Sequence, residues 1–523
     1  MRKQQTDHLI QLIASLTKAE KRHFRLFVTR NQASDELLFL QLFDMIDRYG
    51  DYNEALILKK IPQIKKRQLS NLKAHLYKQL LLSLRLLSRN YNVDIEIRER
   101  IDYAKVLYNK GLYRQSLEML EKAKNLSLKY KQNTLALEII EFEKLIESQY
   151  ITRSIDTRAE ELTKEAADIA QKAMRTQRLS NLALQLYGLY LRIGYVRNEK
   201  DHYFVKEFFH ANLPKYQIDD LDFYEKLYLY QSYVWYHYTS QEFLPCYKYA
   251  QKWVDLFHES SEMQQIDPGM YIKGMHNLLN SLFYLSHYTR FVEVLKELEN
   301  FELNEKNHRI HNLQSLLQLF RYVHTINLHY MEGTFDEGLH LVPELVDIIE
   351  SKKYHWDYHR IMVFYYRIAC LYFASGDNNN AIHYLNLILN APNPQFREDI
   401  QCFARFLNLM AHYELGHIQL VEYLVKSVYR FLVKMQELHQ AQREILQFLR
   451  RLPRIQQKQG LKKEFIKLKN NLTKIQNDPY ERRPFLYLDI ISWLECKIEN
   501  KPVKVIIREK FLKRRLMVDT DSK

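Results

Sequence analysis

Two histidines four positions apart are the nearest approach to a metal-binding pattern in this sequence. His355 and His359 lie within Tyr354–Arg360, and at helical spacing two imidazoles on one face hold a metal when a third ligand arrives from elsewhere. The spacing identifies no third ligand, and among 20 histidines such a pair arises by chance. We therefore favour a helix start with aromatic packing, and we predict no metal and no cofactor.

Motifs for nucleotide binding and nucleophilic catalysis are missing. Gly269 and Gly274 have the spacing of a P-loop, but Met275 and His276 follow where Lys and Ser or Thr are required. The sequence has no GxGxxG, GxSxG or HExxH. Its four cysteines are too far apart for a CxxC pair, and they are Cys246, Cys370, Cys402 and Cys496. These absences predict a protein that is not an enzyme.

A tyrosine-rich run from 228 to 238 could present aromatic rings to a partner. Tyr230, Tyr233 and Tyr236 fall in it, on more than one face of a helix. Rigid amphipathic rings suit peptide recognition. The alternative is packing between helices, which we favour because aromatic residues at helical spacing usually pack.

Clusters of basic residues near both ends could contact phosphates or an acidic partner. They are Lys65, Lys66, Arg67 and Lys73 near the N-terminus, and Lys513, Arg514 and Arg515 near the C-terminus. A basic, Pro-containing turn before a helix also fits a helix-turn-helix reader. The alternative is a solvated basic face, or one that meets the rest of the chain.

The charge is distributed unevenly. Residues 1–90 hold 17 Lys or Arg against 8 Asp or Glu, and residues 451–523 hold 19 against 9. The whole chain carries +14, so the region between them is slightly acidic. The ends and the middle are therefore expected to serve different partners, or to attract one another between molecules.

The elements that must position these residues are helices. Gly and Pro number only 11 each in 523 residues, far below ordinary usage. Sandwiches, barrels and large α/β domains need many tight turns, whereas long helices with short connections need few. Apolar residues also recur at i, i+3, i+4 and i+7. Both observations predict an all-α protein.

Turns between these helices recur along the chain. The clearest runs from Leu371 to Ile382, where an apolar helix ends at a glycine and a small residue begins the next helix. Similar turns fall at 111, 153, 194, 241, 286, 333, 376 and 416, at intervals of 40 to 47 residues. The copy at Arg153–Ile155 is supported only by its position. The predicted turn residues are Gly111, Tyr113, Ser116, Gly194, Phe243, Tyr288, Gly333, Phe335, Gly338, Gly376, Ala381 and Gly416.

This pattern of glycine, aromatic residue and small residue resembles the turn of tetratricopeptide repeats (TPR). The resemblance covers about residues 91–440 and rests on turn chemistry and on a period longer than the 34 residues of the TPR itself. It is to a bacterial group with divergent, elongated repeats, for which no active residues are known. The resemblance implies a helical array and a cytoplasmic setting.

Together these observations predict an α-solenoid of about eight TPR-like antiparallel helix pairs with helical extensions at both ends. The predicted regions are 1–90, basic and helical; 91–440, the repeat array; and 441–523, a basic helical cap. We expect a cytoplasmic scaffold that binds a protein or peptide on the concave face of the array, without a membrane span, and homo-oligomerisation through array and ends is possible. The alternative is a regulatory protein whose basic N-terminal helices bind nucleic acid, with the array as sensor or oligomerisation surface.

Overall fold

The computed structural model describes residues 2–29, 34–50, 53–149, 157–390, 398–434, 440–451, 458–476, 478, 480–481 and 489–521. These residues form helices and connecting turns, and none of them lies in a β-strand. The predicted all-α class is therefore confirmed. The chain divides into two compact units, Met1–Ala173 and Met174–Lys523. The predicted regional boundaries near 90 and 440 stay predictions.

The first unit contains helices that begin and end as follows: α1 (Arg2–Ser15), α2 (Lys18–Thr29), α3 (Ser34–Tyr49), α4 (Glu54–Lys60), α5 (Leu69–Ser88), α6 (Val93–Asn109), α7 (Tyr113–Lys129), α8 (Asn133–Glu147) and the first part of α9 (Arg158–Ile193). A single 3-10 turn, Lys66–Gln68, precedes α5 in this part of the described chain. Helices α1 to α5 share one apolar core around Phe24, Phe43 and Leu80. Helices α6 to α8 share another, around Ile97, Leu120 and Ile139.

The second unit continues with α10 (Glu199–Asn212), α11 (Phe223–Thr239), α12 (Phe243–Glu259), α13 (Met263–Ile266), α14 (Pro268–Tyr284), α15 (Tyr288–Asn300), α16 (Glu305–His308), α17 (His311–Glu332), α18 (Phe335–Gly338), α19 (Val342–Glu350), α20 (Tyr358–Ser375), α21 (Asn378–Leu389), α22 (Glu398–Glu414), α23 (Ile418–Lys434), α24 (Gln440–Arg451), α25 (Lys458–Ile475), α26 (Ile490–Glu499) and α27 (Val503–Asp521). The 3-10 turns Ile218–Asp220 and Leu339–Leu341 lie between these helices.

Most packing joins helices that follow one another in the chain. The pairs α6 with α7, α11 with α12, α20 with α21 and α22 with α23 each pack across a short turn, and α12 with α14 and α21 with α22 pack the pairs together. A single helix pair cannot cover its apolar face, so it needs a neighbour on each side. The exception is α27, which packs against α17 and α20, far back in the sequence.

The turns between paired helices depend on one left-handed residue each. Gly333 and Gly376 end α17 and α20 at φ of 72° and 98°, where glycine has no steric cost. Gln241 and Ser286 occupy the same place in the turns that lack glycine, at φ of 60° and 57°. The side-chain amide of Gln241 donates to the Val196 carbonyl at 3.1 Å, which offsets part of the roughly 1–2 kcal/mol that a side chain costs in this conformation.

The remaining predicted turn residues begin or pack the second helix of each pair. Tyr113, Phe243, Tyr288 and Phe335 are the first residues of α7, α12, α15 and α18. Ser116, Gly338 and Ala381 are buried, as a close approach of two helices requires. A Cβ on Gly338 would lie 3.0 Å from Leu371, and Ser116 donates to the Ala104 carbonyl at 2.7 Å. Gly111, Gly194 and Gly416 have positive φ, and the copy at 153–155 lies outside the described residues.

Two sequence features take roles in packing. Gly274, one of the two glycines with P-loop spacing, lies in α14, where a Cβ would come 2.9 Å from the Trp253 ring. His355 and His359 do not share a helix, because α20 begins at Tyr358 and His355 precedes it at φ of 49°. The prediction that these two histidines could share a helix face is therefore wrong. Within the described residues, no helix combines the length and apolarity needed to cross a membrane.

Candidate functional site

The candidate site is a cavity of about 1910 Å³ in the second unit. Most of its lining residues come from α14, α17 and α20, which are the first helices of three successive pairs, and from α15 and α27. The volume exceeds the roughly 300–1,000 Å³ of ordinary small-molecule pockets. A cavity of this size suits a segment of a macromolecule.

Aromatic rings form one side of this cavity. Phe243 stacks on Tyr284 with ring centroids 4.6 Å apart, and Tyr238 lies edge-on to Tyr190 at 5.4 Å. These rings come from α9, α11, α12 and α14, so side chains of neighbouring helices meet on this side of the cavity. Tyr187 lines the same side and is 39% exposed, which leaves part of its ring open to a partner.

The C-terminal helix α27 forms another side. Ile507 packs into the apolar cluster of α17 and α20, and the ring of Phe511 lies 4.8 Å from Tyr288 in an edge-on contact. Arg508 donates to the Glu332 carbonyl at 2.9 Å, and Lys504 pairs with Asp336 at 2.7 Å. The basic C-terminal helix therefore contacts α17 and α18 of its own chain through Arg508 and Lys504.

The close fit of α27 depends on a residue without a side chain. Gly333 ends α17 in the left-handed conformation, and a Cβ at this position would lie 2.8 Å from the backbone nitrogen of Arg508. Gly333 is therefore needed for two reasons: it takes the left-handed conformation of the turn, and it leaves room for the backbone of α27.

The cavity is electropositive. Six of its lining side chains are cationic and two are carboxylates. Glu293 is paired with Arg290 at 2.9 Å, and Asp489 accepts from the backbone of Ser492 at the start of α26. Both carboxylates are therefore engaged. Among the described residues, Arg367 and Arg514 have no carboxylate within 4.0 Å, so the cavity favours an anionic ligand.

Two histidines from neighbouring helices meet at the cavity, where the half-buried His276 lines it and the fully buried His324 lies behind. The Nδ1 of His276 is 2.9 Å from the Nε2 of His324, and the His276 ring stacks on Phe320 with centroids 3.8 Å apart. Burial lowers the pKa of His276 to about 3 and lowers that of His324 well below its usual value. Both rings are neutral at physiological pH, so they act as hydrogen-bonding groups without charge.

The one thiol among the cavity's lining residues is protonated at neutral pH. Burial raises the pKa of Cys370 to about 12, and only the thiolate is a strong nucleophile or metal ligand. In the described part of the chain, no group of three or more His, Cys, Asp and Glu side chains is placed to hold a metal ion. The lining residues offer cationic groups, hydrogen-bonding groups and aromatic ring faces.

The three tyrosines considered for partner binding pack between helices. Tyr230 and Tyr236 are buried, and Tyr233 stacks on Tyr249 with centroids 4.0 Å apart while its hydroxyl bonds that of Tyr216 at 2.9 Å. None of the three lines the cavity. The three rings therefore pack between helices, and the partner-binding role that we considered for them stays a prediction.

The predicted basic residues separate into two groups. Lys65, Lys66 and Arg67 are exposed at the start of α5, and Lys73 is half-buried farther along it. In the second unit, Lys513, Arg514 and Arg515 are exposed on α27. Arg514 and Arg515 also line the cavity, and the guanidinium of Arg515 lies 5.9 Å from the Tyr288 ring centroid.

Sequence reasoning missed the polar residues of α14, α17 and α20. His276 and His324 are 48 positions apart, and Asn327 and Arg367 are 40 apart. These separations are close to the interval between turns. A search for polar residues recurring at that interval on apolar helix faces would have found them.

No protein-family model matches the sequence, and no curated protein matches it either.

Proposed function

We propose that the chain is a TPR-like interaction scaffold of the cytoplasm, whose helix pairs stack as an α-solenoid and whose cavity in the second unit binds a segment of a partner protein. Three features support the solenoid. Chain-adjacent helices pack in pairs, left-handed residues recur at the turns, and α14, α17 and α20 line one face together.

The observation that carries the binding proposal is the cavity itself. It combines a volume of about 1910 Å³ with aromatic walls and an excess of cations. Aromatic and arginine side chains supply most of the binding energy at protein interfaces, because they bury large areas with few rotatable bonds. The α27 wall limits the opening and gives the bound segment a basic neighbour.

A native pulldown with and without nuclease tests this function, using a pair of tryptophan substitutions. Thr289 is exposed and lines the cavity, so Thr289→Trp fills space that the partner needs. Leu244 is 52% exposed and does not line the cavity, so Leu244→Trp is the matched control.

We expect a protein partner that survives nuclease treatment, is retained by Leu244→Trp and is lost from Thr289→Trp. Equal retention by both variants would show that the cavity is not the binding site. Loss of all captured material on nuclease treatment would favour nucleic acid instead.

A second candidate function is nucleic-acid binding by the first unit, favoured by the exposed cations next to α5. Lys59, Lys60, Lys65 and Arg67 have no carboxylate within 4.0 Å among the described residues, and Lys66 lies 3.4 Å from Glu54. A cluster of unpaired cations attracts a phosphate backbone, and each phosphate contact adds roughly 0.9 to the salt slope of affinity.

The test of this candidate uses the full chain and two double variants. Lys65→Gln with Arg67→Gln should reduce the salt slope of RNA or DNA affinity by about two. Lys105→Gln with Lys110→Gln removes two exposed cations from elsewhere in the first unit and should leave the slope unchanged. Equal changes in the salt slope for the two double variants would show that the chain attracts nucleic acid only non-specifically.

A further inference from the structure

The polar residues that α14, α17 and α20 bring together form a continuous hydrogen-bonded cluster. The side-chain amide of Asn280 lies 3.0 Å from His276, whose ring bonds His324, and Asn327 lies 3.4 Å from the far side of His324. Arg367 donates to the Asn327 side chain and completes the cluster. We call these five residues the His–Arg cluster. Four of them, all except the fully buried His324, line the cavity.

The His–Arg cluster carries a positive charge that the described protein does not neutralise. Arg367 has no carboxylate within 4.0 Å among the described residues, and its Nε is buried without a hydrogen-bond partner. Arg360, also in the cavity wall, is paired with Asp357 at 3.3 Å, so Arg367 is the cation of this group that lacks a carboxylate among the described residues. A half-buried charge without a counter-ion is unfavourable, because the protein interior solvates it poorly.

The neutral imidazoles leave the charge concentrated on the arginine. Because His276 and His324 are uncharged, they provide hydrogen bonds and apolar ring faces, and they do not compete for an anion. A guanidinium presents paired N–H groups in one plane, which match the two oxygens of a carboxylate or a phosphate. The cluster thus combines the cation and the hydrogen-bonding groups that an oxyanion-binding site requires.

We propose that the His–Arg cluster is an oxyanion-binding subsite, in which Arg367 binds a carboxylate or phosphoryl group carried by the ligand of the cavity. Asn280 and Asn327 hold the imidazoles in place. This inference rests on the proposed function of the cavity and names the chemistry of the group that enters it.

The experiment measures binding of two probes to the full chain by calorimetry: inorganic phosphate and a hexaglutamate peptide. Arg367→Gln removes the charge and keeps a polar side chain, and Arg367→Lys keeps the charge without the planar pair of N–H groups. The control is Arg430→Gln, which removes an exposed arginine of α23 that does not line the cavity. Circular dichroism and thermal melts check that each variant is folded.

We expect at least one probe to bind saturably. Its dissociation constant should rise roughly tenfold or more in Arg367→Gln and less in Arg367→Lys, and it should not change in Arg430→Gln. Arg367-dependent binding of phosphate alone identifies a phosphoryl group, and Arg367-dependent binding of the peptide alone identifies a carboxylate. Either result supports the subsite.

The subsite is contradicted if neither probe binds saturably to the wild-type chain, or if Arg367→Gln and Arg430→Gln change binding equally. The partner pulldown separates this failure from failure of the proposed function. Suppose that Arg367→Gln still binds the partner and Thr289→Trp does not. That result would support the cavity as the binding site and contradict the oxyanion subsite.

Discussion

Lys124 in the first unit and Arg367 in the second both point away from bulk solvent, and they differ in their partners. In the first unit, Lys124 is buried, and its Nζ lies 2.9 Å from Glu143 and 3.1 Å from Glu165. In the second unit, Arg367 faces the cavity with an amide as its side-chain partner and no carboxylate within 4.0 Å among the described residues. In the first arrangement, two carboxylates of the protein neutralise the ammonium group of Lys124. In the second, the guanidinium of Arg367 is open to pairing with an anionic group of a ligand. The comparison suggests that Lys124 serves the fold and Arg367 serves binding.

The largest expected effect comes from breaking the neutralised group. Glu143→Gln should lower the free energy of unfolding of the first unit by about 3 kcal/mol, because removing one partner leaves Lys124 buried with incomplete compensation. The control is Glu141→Gln, which removes a carboxylate that is 60% exposed and paired only with Lys144. Hydrogen exchange of α7 and α8 measures the difference. Equal effects would show that burial of the pair is unimportant.

An intermediate effect is expected where α27 forms the cavity wall. Gly333→Ala should cost about 2 kcal/mol, since it adds a contact with the Arg508 backbone to the cost of a left-handed alanine. Gly376→Ala has the left-handed cost alone, about 1 kcal/mol, because nothing lies within 4 Å of a Cβ there. Amide exchange of α27 should accelerate only in Gly333→Ala. Faster exchange of α27 in both variants would contradict the claim that Gly333 is needed for the packing of α27.

The smallest expected effect is on the stability of the Arg367→Gln variant. Because the guanidinium lacks a carboxylate, its removal relieves unpaired charge and loses one hydrogen bond to Asn327, so stability should change by less than about 1 kcal/mol. Thermal unfolding of Arg367→Gln and of Glu143→Gln, measured under the same conditions, checks this. A loss as large as that of Glu143→Gln would make Arg367 a structural residue like Lys124.

The sequence predicted the helical class and most of the turns, because both depend on local chemistry. Scarce Gly and Pro favour helices, and Gly333 and Gly376 have the left-handed conformation that their turns require. The turns without glycine were predicted weakly by position, and Gln241 and Ser286 take that conformation there. A further left-handed residue, Lys131 between α7 and α8, gave no recognisable signal.

The candidate site was harder to predict, because it joins residues from helices far apart in the chain. His276, His324 and Arg367 each look like an isolated polar residue in the sequence, and only packing of α14, α17 and α20 unites them. The tyrosine run was conspicuous, but its rings pack on aromatic residues of neighbouring helices, Tyr233 on Tyr249 and Tyr236 on Phe209. The similar basic charge of the two ends also concealed that α27 packs on α17 and α20 of its own chain.

The central claim, that the cavity of the second unit binds a protein segment, is tested most directly by site-specific photocrosslinking. A benzophenone side chain would replace Tyr187, which lines the cavity and is 39% exposed, or Tyr203, which is 65% exposed and does not line it. We predict a protein adduct from position 187 in native extract, absent or much weaker from position 203 and suppressed by Thr289→Trp. Equal adducts from both positions, or an adduct at 187 that Thr289→Trp leaves unchanged, would contradict the claim.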